Sequence, residues 1–189
     1  MFLIFGPPGS GKGTQARLLE EAGLVKWFST GQLLRDSTVD PIQQAKMFKG
    51  ELVDDAYIDK ILSSALTGQN YDEKPILLDG YPRSLAQVSW LFSEDNPGRV
   101  TGVIQLLAPQ EELEKRLILR GNQEGRSDDN LETIKRRFLV YNQESLPAIQ
   151  EIINRGVDLK QVNADQPIEA VHNDCKQALV ELLQNANQG

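Results

Sequence analysis

FLIFGPPGSGKGT, at residues 2–14, is the stretch of the chain that decides its fold. An unbroken apolar run is typical of a strand buried inside a parallel sheet. Glycines and prolines follow the run, and the residues from Gly13 to Glu21 have helical character. The order of strand, glycine-rich loop and helix predicts a phosphate-binding loop, because glycines let backbone N–H groups turn inward around an anion at the start of a helix.

The loop also predicts which groups would hold the phosphates. Lys12 would reach the outer phosphates of a nucleotide, and the neighbouring backbone would surround the others. A magnesium-binding hydroxyl commonly follows the lysine of such loops. Gly13 stands there instead, so we expect Mg²⁺ to be held mainly by phosphates and waters. The loop positions assigned to the donor nucleotide are Gly9, Ser10, Gly11, Lys12, Gly13 and Thr14.

Further apolar runs predict the rest of a sheet. They recur at residues 25–28, 76–78, 103–107 and 157–162, with helical segments between them. This alternation indicates an α/β fold with a five-stranded parallel sheet flanked by helices, whose ligand crevice lies at the carboxyl ends of the strands. Asp79 directly follows one run, so we expect its carboxylate to face the phosphate site and to orient Mg²⁺-bound water.

Boundary signals divide the second half of the chain into helices. Pro109 and Gly121 predict a helix between them. Asp129, with Glu132 three residues on, predicts the start of the next helix, and Pro147 is expected to kink or interrupt it. The inward face of that helix is predicted to carry Leu131, Ile134, Phe138 and Tyr141.

The same signals predict three structural units. Residues 30–53 are polar and helical where a plain crossover would need fewer residues, so we expect a small inserted domain there. Residues 121–129, with two glycines and mixed charges, are expected to form a short mobile loop between two helices. The core would then comprise residues 1–29, 54–120 and 130–189.

Composition limits the class of protein. A chain of 189 residues with 40% hydrophobic composition can bury one main core. A single cysteine excludes an intramolecular disulfide framework, and the apolar runs are too short for a signal peptide or a membrane span, so we expect a cytoplasmic protein. The formal net charge of -7 argues against nucleic acid or an anionic membrane as a partner. We expect small-molecule substrates and a monomer.

Arginines occur near the predicted strand ends and the predicted mobile loop, although the chain as a whole is acidic. Guanidinium groups match phosphate oxygens, and phosphoryl transfer depends on positioning and on neutralising the charge of the transferring group. Taken singly, each of these arginines is more simply a partner in a surface ion pair. The set comprises Arg35, Arg83, Arg116, Arg120, Arg126 and Arg137.

Four motifs in this order resemble the adenylate kinase family across essentially the whole chain. GPPGSGKGTQ at 6–15 resembles its phosphate loop, and STGQLLR at 29–35 resembles its monophosphate motif. DGYPR at 79–83 resembles its central motif, and GRSDDN at 125–130 resembles the end of its lid. The phosphate loop alone would indicate only a nucleotide-binding superfamily, whereas four ordered motifs are specific.

The resemblance implies Mg²⁺-assisted phosphoryl transfer from ATP to AMP, by in-line attack of the acceptor phosphate. It implies a core, a monophosphate-binding insert at 30–53 and a lid at 121–129, which close over the substrates and exclude water. The catalytic residues that it implies are Lys12, Arg83, Arg120, Arg126 and Arg137. Residues that it adds to ATP binding are Arg116, Arg120 and Gln166. Residues that it assigns to AMP are Thr30, Arg35, Val53, Gly80, Arg83, Gln87, Arg126 and Arg137.

Some positions depart from the family pattern. Gln32 replaces an acidic residue, which removes one carboxylate from the expected surroundings of Mg²⁺. Gln166 stands where some members place a basic residue near adenine. The insert is shorter than in most members, and the lid is of the short type.

Two other functions stay open. A UMP or CMP kinase would share the fold and the phosphate contacts and would differ at the base pocket, where Thr30 and Gln87 favour adenine. A catalytically weak protein that senses adenine nucleotides is favoured by Gln32 and the shortened insert, and the complete arginine set opposes it. Assays of phosphoryl transfer to each monophosphate separate these interpretations.

Overall fold

Parallel strands form the centre of the molecule, for which a computed structural model describes residues 1–36, 40–67, 73–93, 99–124 and 129–186. The strands of the described residues are β1 (Phe2–Phe5), β2 (Lys26–Ser29), β3 (Ile76–Asp79), β4 (Gly102–Leu107) and β5 (Asp158–Asn163). They form one five-stranded sheet in the order β2-β3-β1-β4-β5, and every pairing is parallel. The predicted α/β class and its five strands are therefore confirmed.

Helices connect the strands and cover the sheet. They are α1 (Lys12–Glu21), α2 (Thr30–Asp36), α3 (Pro41–Phe48), α4 (Asp55–Leu66), α5 (Leu85–Leu91), α6 (Gln110–Glu124), α7 (Leu131–Val140), α8 (Leu146–Asn154) and α9 (Ile168–Ala186). Over the described ranges, none of the helices combines the length and the apolar character needed to cross a membrane.

Alternation along β1 divides the core between the two faces of the sheet. Leu3 and Phe5 belong to a buried cluster with side chains of α4, α5 and α8. Phe2 and Ile4 belong to a second cluster with side chains of α1 and α9. Because successive side chains of a strand point to opposite faces and both faces are covered, β1 is apolar at every position.

Parallel pairing aligns the carboxyl ends of the strands at one edge of the sheet. Ile4 of β1 lies opposite Asp79 of β3 and Ile104 of β4, and Ser29 of β2 also lies opposite Asp79. The phosphate loop follows β1, and Thr30 follows β2, so both leave the sheet at this edge. Open α/β sheets bind ligands at the carboxyl ends of their strands, so a ligand-binding site is expected at this edge.

The helix after β4 is longer than predicted. α6 continues to Glu124 and passes through Gly121, where the sequence predicts its end. A glycine typically ends a helix by adopting the left-handed conformation, and Gly121 has no positive φ. The prediction of a loop over 121–129 is therefore wrong for residues 121–124, and residues 125–128 lie outside the described part of the chain.

α7 is capped by a different residue from the one predicted. Asn130, not Asp129, accepts a hydrogen bond from the backbone N–H of Thr133 at 3.0 Å. The carboxylate of Asp129 is engaged by arginines and is not the cap. The helix consequently begins at Leu131, one residue later than a cap at Asp129 would place it.

The inward face of α7 is shorter than predicted. Ile134 and Phe138 are buried with Leu113 and Leu117 of α6, in a cluster separate from the two that lie on the sheet. Leu131 is 63% exposed, so the prediction that it is buried is wrong. It is exposed because it is the first residue of the helix and precedes the turn that packs. The small cluster holds α6 and α7 together.

Pro147 interrupts the long helix, as predicted. Residues Tyr141–Ser145 form a π-helical turn between α7 and α8, and Pro147 lies in the first turn of α8. Proline lacks an N–H and crowds the preceding turn of an α-helix, so a wider turn lets the chain continue as a helix through this point.

Candidate active site

Lys12 lies at the first position of α1, directly after the phosphate loop. Its Nζ donates hydrogen bonds to the backbone oxygen of Gly6 at 2.6 Å and to that of Pro7 at 3.0 Å. Burial lowers the pKa of Lys12 to about 8, and the carboxylate of Asp79 opposes this effect. The ammonium group is thus held by its own loop and can exchange these carbonyl contacts for phosphate oxygens.

Several guanidinium groups share the electrostatic surroundings of Lys12. The positive charges of Arg83, Arg137 and Arg120 each lower the pKa of its ammonium group, in addition to the larger effect of burial. Such a concentration of cations is unfavourable by itself and becomes favourable when a polyanion lies among them. The arrangement therefore suits a polyphosphate.

Asp79 supplies a negative charge among these cations. It ends β3 and is 8% exposed. Burial raises the pKa of Asp79, and the charges of Lys12 and Arg83 oppose that effect. Its Oδ2 lies 3.7 Å from the position that a Cβ on Gly13 would take, so the carboxylate faces the first turn of α1. This location is the one predicted for it.

A cleft connects the phosphate loop with the predicted insert. Its lining includes Lys12 from α1, side chains of α2 and residues 50–53. Among the described residues, it brings together the whole set assigned to the acceptor nucleotide: Thr30, Arg35, Val53, Gly80, Arg83, Gln87 and Arg137. Arg126, the remaining member of that set, lies outside the described residues.

The turn after β3 places Arg83 beside Thr30. The hydroxyl of Thr30 donates to the carbonyl oxygen of Gly80 at 2.9 Å, and Nε of Arg83 donates to the same oxygen at 2.7 Å. A Cβ at Gly80 would come within 2.7 Å of Thr30 Oγ1 and 2.8 Å of Arg83 Nη2. Glycine is therefore required for both side chains to lie together in the cleft.

Gln87 has both ends of its amide engaged. Its Oε1 accepts a hydrogen bond from the backbone N–H of Arg83 at 2.6 Å, and its Nε2 donates to Oδ1 of Asp55 at 2.7 Å. An amide nitrogen carries two hydrogens and an amide oxygen two lone pairs. One hydrogen and one lone pair therefore remain beyond these two contacts.

Gln32 contacts an arginine of the same helix. Nη2 of Arg35 donates to Oε1 of Gln32 at 3.1 Å. The glutamine that replaces an acidic residue thus keeps an oxygen acceptor for the guanidinium group and lacks the negative charge. It orients Arg35 at the exposed rim of the cleft.

Asp129 joins two of the predicted phosphate-binding arginines. Its side chain is 0% exposed and accepts hydrogen bonds from Arg120 at 2.6 and 2.9 Å and from Arg137 at 2.7 Å. The sequence predicts Asp129 as the helix cap, which is the usual role of an aspartate before a helix, and the family resemblance adds contacts with arginines on closure. The sequence also contains Asn130, which is as good a helix cap as an aspartate and leaves the carboxylate of Asp129 for another role.

Three residues that the resemblance adds to ATP binding do not line the cleft, namely Arg116, Arg120 and Gln166. Nη1 of Arg116 donates to the backbone oxygen of Ala164 at 2.9 Å, and Nε2 of Gln166 donates to Asp174 at 2.6 Å. Ala164 directly follows β5, so both side chains lie near the carboxyl end of that strand. They adjoin the site from the β5 side of the sheet.

The fold and the site together define a class of protein. A parallel sheet with a phosphate loop after one strand, a carboxylate at the end of its neighbour and converging arginines is the arrangement of a nucleotide-binding phosphotransferase. The model of the family described as adenylate kinase matches residues 4–157. The chain belongs to the adenylate kinase family, and the resemblance drawn from its four motifs is confirmed.

Individual relatives match along most of their length. The adenylate kinase of Prochlorococcus marinus (strain MIT 9515) is 40% identical over 186 residues, which cover 94% of this chain and 97% of the relative. The adenylate kinase of Thermus thermophilus is 39% identical over 173 residues, covering 85% of this chain and 87% of the relative. The adenylate kinase of Phocaeicola vulgatus is 38% identical over 161 residues, covering 82% and 85%.

Proposed function

We propose that this protein catalyses the reversible transfer of the terminal phosphoryl group of ATP to AMP, which yields ADP from both. The observation that carries the proposal is the cleft that joins Lys12 of the phosphate loop to Thr30, Arg83 and Gln87. A donor phosphate at Lys12 and an acceptor phosphate at Arg83 would then meet in one cleft. The similar proteins named above, each called adenylate kinase, support the same activity.

On the donor side, Lys12 would exchange its carbonyl partners for phosphate oxygens of ATP. Arg120 and Arg137, both held by Asp129, would neutralise the charge that spreads over the transferring group. Arg126 would help to neutralise that charge in the same way. Arg116 and Gln166, from the β5 side, would contact the remainder of ATP.

On the acceptor side, Arg35 and Arg83 would bind the phosphate of AMP, and Thr30, Val53 and Gln87 would surround its base and sugar. An oxygen of that phosphate attacks the terminal phosphorus of ATP in line, and the bond from phosphorus to the leaving ADP oxygen breaks. No side chain forms a covalent intermediate in this reaction.

The donor groups near the loop suit a magnesium ion that arrives with the nucleotide. Within the described ranges, no cluster of three or more acidic, histidine or cysteine side chains could enclose a metal. Mg²⁺ usually keeps several waters and binds through one or two carboxylates together with substrate phosphates, so the buried Asp79 beside Gly13 fits this role. The ion, when bound, would neutralise phosphate charge, and Asp79 would hold its waters.

Acceptor choice tests the proposal. We expect kcat/KM for AMP to exceed that for UMP by about 10²-fold or more, because uracil offers no amino donor and would leave the remaining hydrogen-bonding positions of the buried Gln87 amide mismatched, at a cost of roughly 1–3 kcal/mol. Gln87→Ala should reduce the use of AMP far more than the binding of ATP. ADP formation would be measured by a coupled assay with each monophosphate in turn.

Two outcomes would contradict the proposal. Faster phosphorylation of UMP or CMP than of AMP would identify a pyrimidine nucleotide kinase. Binding of ATP without transfer to any monophosphate would identify a nucleotide-sensing protein.

A further inference from the structure

Recognition of adenine by a glutamine amide depends on the order in which its oxygen and nitrogen are presented. Adenine carries an amino donor beside a ring-nitrogen acceptor, whereas hypoxanthine carries a carbonyl acceptor beside a ring N–H donor. An amide that could turn over about its last torsion would pair equally well with either edge, because the turn exchanges its donor and its acceptor. Discrimination between 6-amino and 6-oxo purines therefore requires a constraint on that torsion.

The two neighbours of the Gln87 amide supply such a constraint. Its Nε2 donates to Asp55 at 2.7 Å, and its Oε1 accepts from the N–H of Arg83 at 2.6 Å. An ionised carboxylate can only accept and a backbone N–H can only donate, so both contacts require the same orientation. Turning the amide over would set its oxygen against a carboxylate and its hydrogens against an N–H.

Asp55 is itself held in place. It is the first residue of α4, and its Oδ1 also accepts a hydrogen bond from the hydroxyl of Ser84 at 3.0 Å. Ser84 caps α5 by accepting from the backbone N–H of Gln87 at 3.2 Å. These contacts form a closed circuit between the start of α4 and the start of the helix that carries Gln87.

Burial makes the circuit selective. Gln87 is 2% exposed and Ser84 is 8% exposed, so water cannot readily replace a contact that is lost. A buried donor or acceptor without a partner is costly, and the low local dielectric strengthens the contacts that are made. The wrong orientation of the amide is therefore disfavoured before any base arrives.

We propose that Asp55 is the positioning residue that makes the acceptor site selective for a 6-amino purine over a 6-oxo purine. The proposal rests on the proposed function, because it takes Gln87 as the residue that meets the base. Asp55 does not line the cleft and acts through the Gln87 amide. Its alternative role is purely structural, as an acidic residue that stabilises the first turn of a helix.

The test compares kcat/KM for AMP with kcat/KM for IMP in the full chain and its variants. Their ratio does not depend on the fraction of folded protein, so a purely structural role of Asp55 would leave it unchanged. Asp55→Leu removes the acceptor at similar size. Asp55→Asn keeps the shape and offers an amide that can face Gln87 with either atom. The matched control is Asp54→Leu, since Asp54 precedes the same helix and contacts Gln43 and Lys46.

We expect the unmodified protein to prefer AMP, and Asp55→Leu to lower the AMP-to-IMP ratio by about tenfold, the scale of one hydrogen bond to a charged group. Asp55→Asn should lower it less, and Asp54→Leu should leave it unchanged. An unchanged AMP-to-IMP ratio in Asp55→Leu overturns the proposal. If the leucine variant does not fold, an unchanged AMP-to-IMP ratio in Asp55→Asn overturns it instead. An equal fall in Asp54→Leu also overturns it.

The same assay separates this proposal from the proposed function. An unmodified protein that uses AMP and IMP equally well would overturn the role of Asp55 and leave the kinase activity standing. An unmodified protein that transfers phosphate to neither would overturn the proposed function itself.

Discussion

At the scale of single residues, the charged groups of the site are already held by partners that a phosphate can replace or complement. Lys12 is bound to carbonyl oxygens of its own loop, and Arg83 is bound to the carbonyl oxygen of Gly80. A phosphate oxygen carries the negative charge that a carbonyl oxygen lacks, so its contact with either cation gains Coulomb attraction in addition to the hydrogen bond. Exchange of a carbonyl for a phosphate oxygen is therefore favourable, and the side chains need little rearrangement to make it.

Removal of either cation should abolish useful turnover while the fold survives. We expect Lys12→Ala and Arg83→Ala each to lower kcat/KM by about 10³-fold, because each removes a charge-assisted contact to a phosphate. Arg17→Ala is the control on the same helix as Lys12, since Arg17 is exposed and pairs with Glu21. Steady-state kinetics with circular dichroism as a check of folding would measure the effect. A loss of less than tenfold in a folded variant would contradict these assignments.

The lowered pKa of Lys12 predicts a pH dependence. The ammonium form is present below the pKa of about 8 in the free protein and is lost as the pH rises through that value. Because kcat/KM reports the free enzyme, kcat/KM for ATP should fall above about pH 8. Bound phosphates favour the charged form, so kcat itself should fall only at higher pH.

Lys12→Arg provides the control for this dependence, because a guanidinium group stays charged over the whole range. Its residual kcat/KM should show no fall near pH 8. A profile of the unmodified protein that stays flat between about pH 7 and about pH 9.5 would rule out the assignment.

At the scale of secondary structure, the strands could be predicted, whereas the end of α6 and the cap of α7 were predicted wrongly. β1 is a continuous apolar run, and β3 and β4 are apolar apart from Asp79 and Gln105, because a strand that is buried on both faces of a parallel sheet is mostly apolar at successive positions.

The continuation of α6 past Gly121 has no signal in the local sequence, whereas the sequence around α7 offers two competing caps, Asp129 and Asn130. Asp129 is drawn to Arg120 and Arg137, and that attraction appears only when α6 and α7 are side by side.

The residues of the candidate site were likewise predicted only in part. Four ordered motifs were enough to predict that Thr30, Arg83 and Gln87 belong to one acceptor site, and the cleft brings them together. Asp55 was not predicted as a residue of the site, because its contact with Gln87 joins positions 32 residues apart. Residues that orient other residues have no sequence pattern of their own, which is why they were missed.

The end of the insert packs on α7 through a glycine. Gly50 has a φ of 72°, and a Cβ there would lie 2.9 Å from Cγ of Arg137 and 3.1 Å from the carbonyl oxygen of Thr133. We expect Gly50→Ala to lower the free energy of unfolding by about 2–3 kcal/mol, from backbone strain together with this overlap. Turnover should fall as well, because the overlap displaces Arg137.

Gly156→Ala is the matched control. Gly156 has a φ of 85°, and apart from its chain neighbours no atom of the described residues lies within 4 Å of the position that a Cβ would take there, so we expect the substitution to cost only backbone strain, about 1 kcal/mol. Urea unfolding of the two variants isolates the contribution of the contact with α7. Equal destabilisation would show that the insert does not pack there.

At the scale of the whole molecule, the cations of the site come from separate segments. Lys12 begins α1, Arg35 lies at the end of α2, and Arg83 lies in the turn after β3. Arg120 and Arg137 come from α6 and α7. Two unit charges about 8 Å apart repel by roughly 2 kcal/mol at an effective dielectric constant of about 20. Closer approach of these segments is therefore unfavourable until an anion lies between them.

Closure of the insert and the lid should accordingly be driven by substrates. An inhibitor that joins two adenosine groups through a polyphosphate occupies both proposed nucleotide sites, so it should neutralise the cations of both at once. We expect it to reduce the radius of gyration in small-angle X-ray scattering and to slow proteolysis and hydrogen exchange over residues 121–129.

Ligands that fill one half of the cleft provide the comparison for this experiment. ATP alone or AMP alone neutralises only part of the cation set, so each should compact the molecule less than the two-headed inhibitor does. Because salt screens the repulsion that keeps the segments apart and also the attraction of the polyphosphate, the difference between the open and the closed states should shrink as ionic strength rises. An unchanged radius and unchanged protection at saturation with the inhibitor would contradict two nucleotide sites that close on one another.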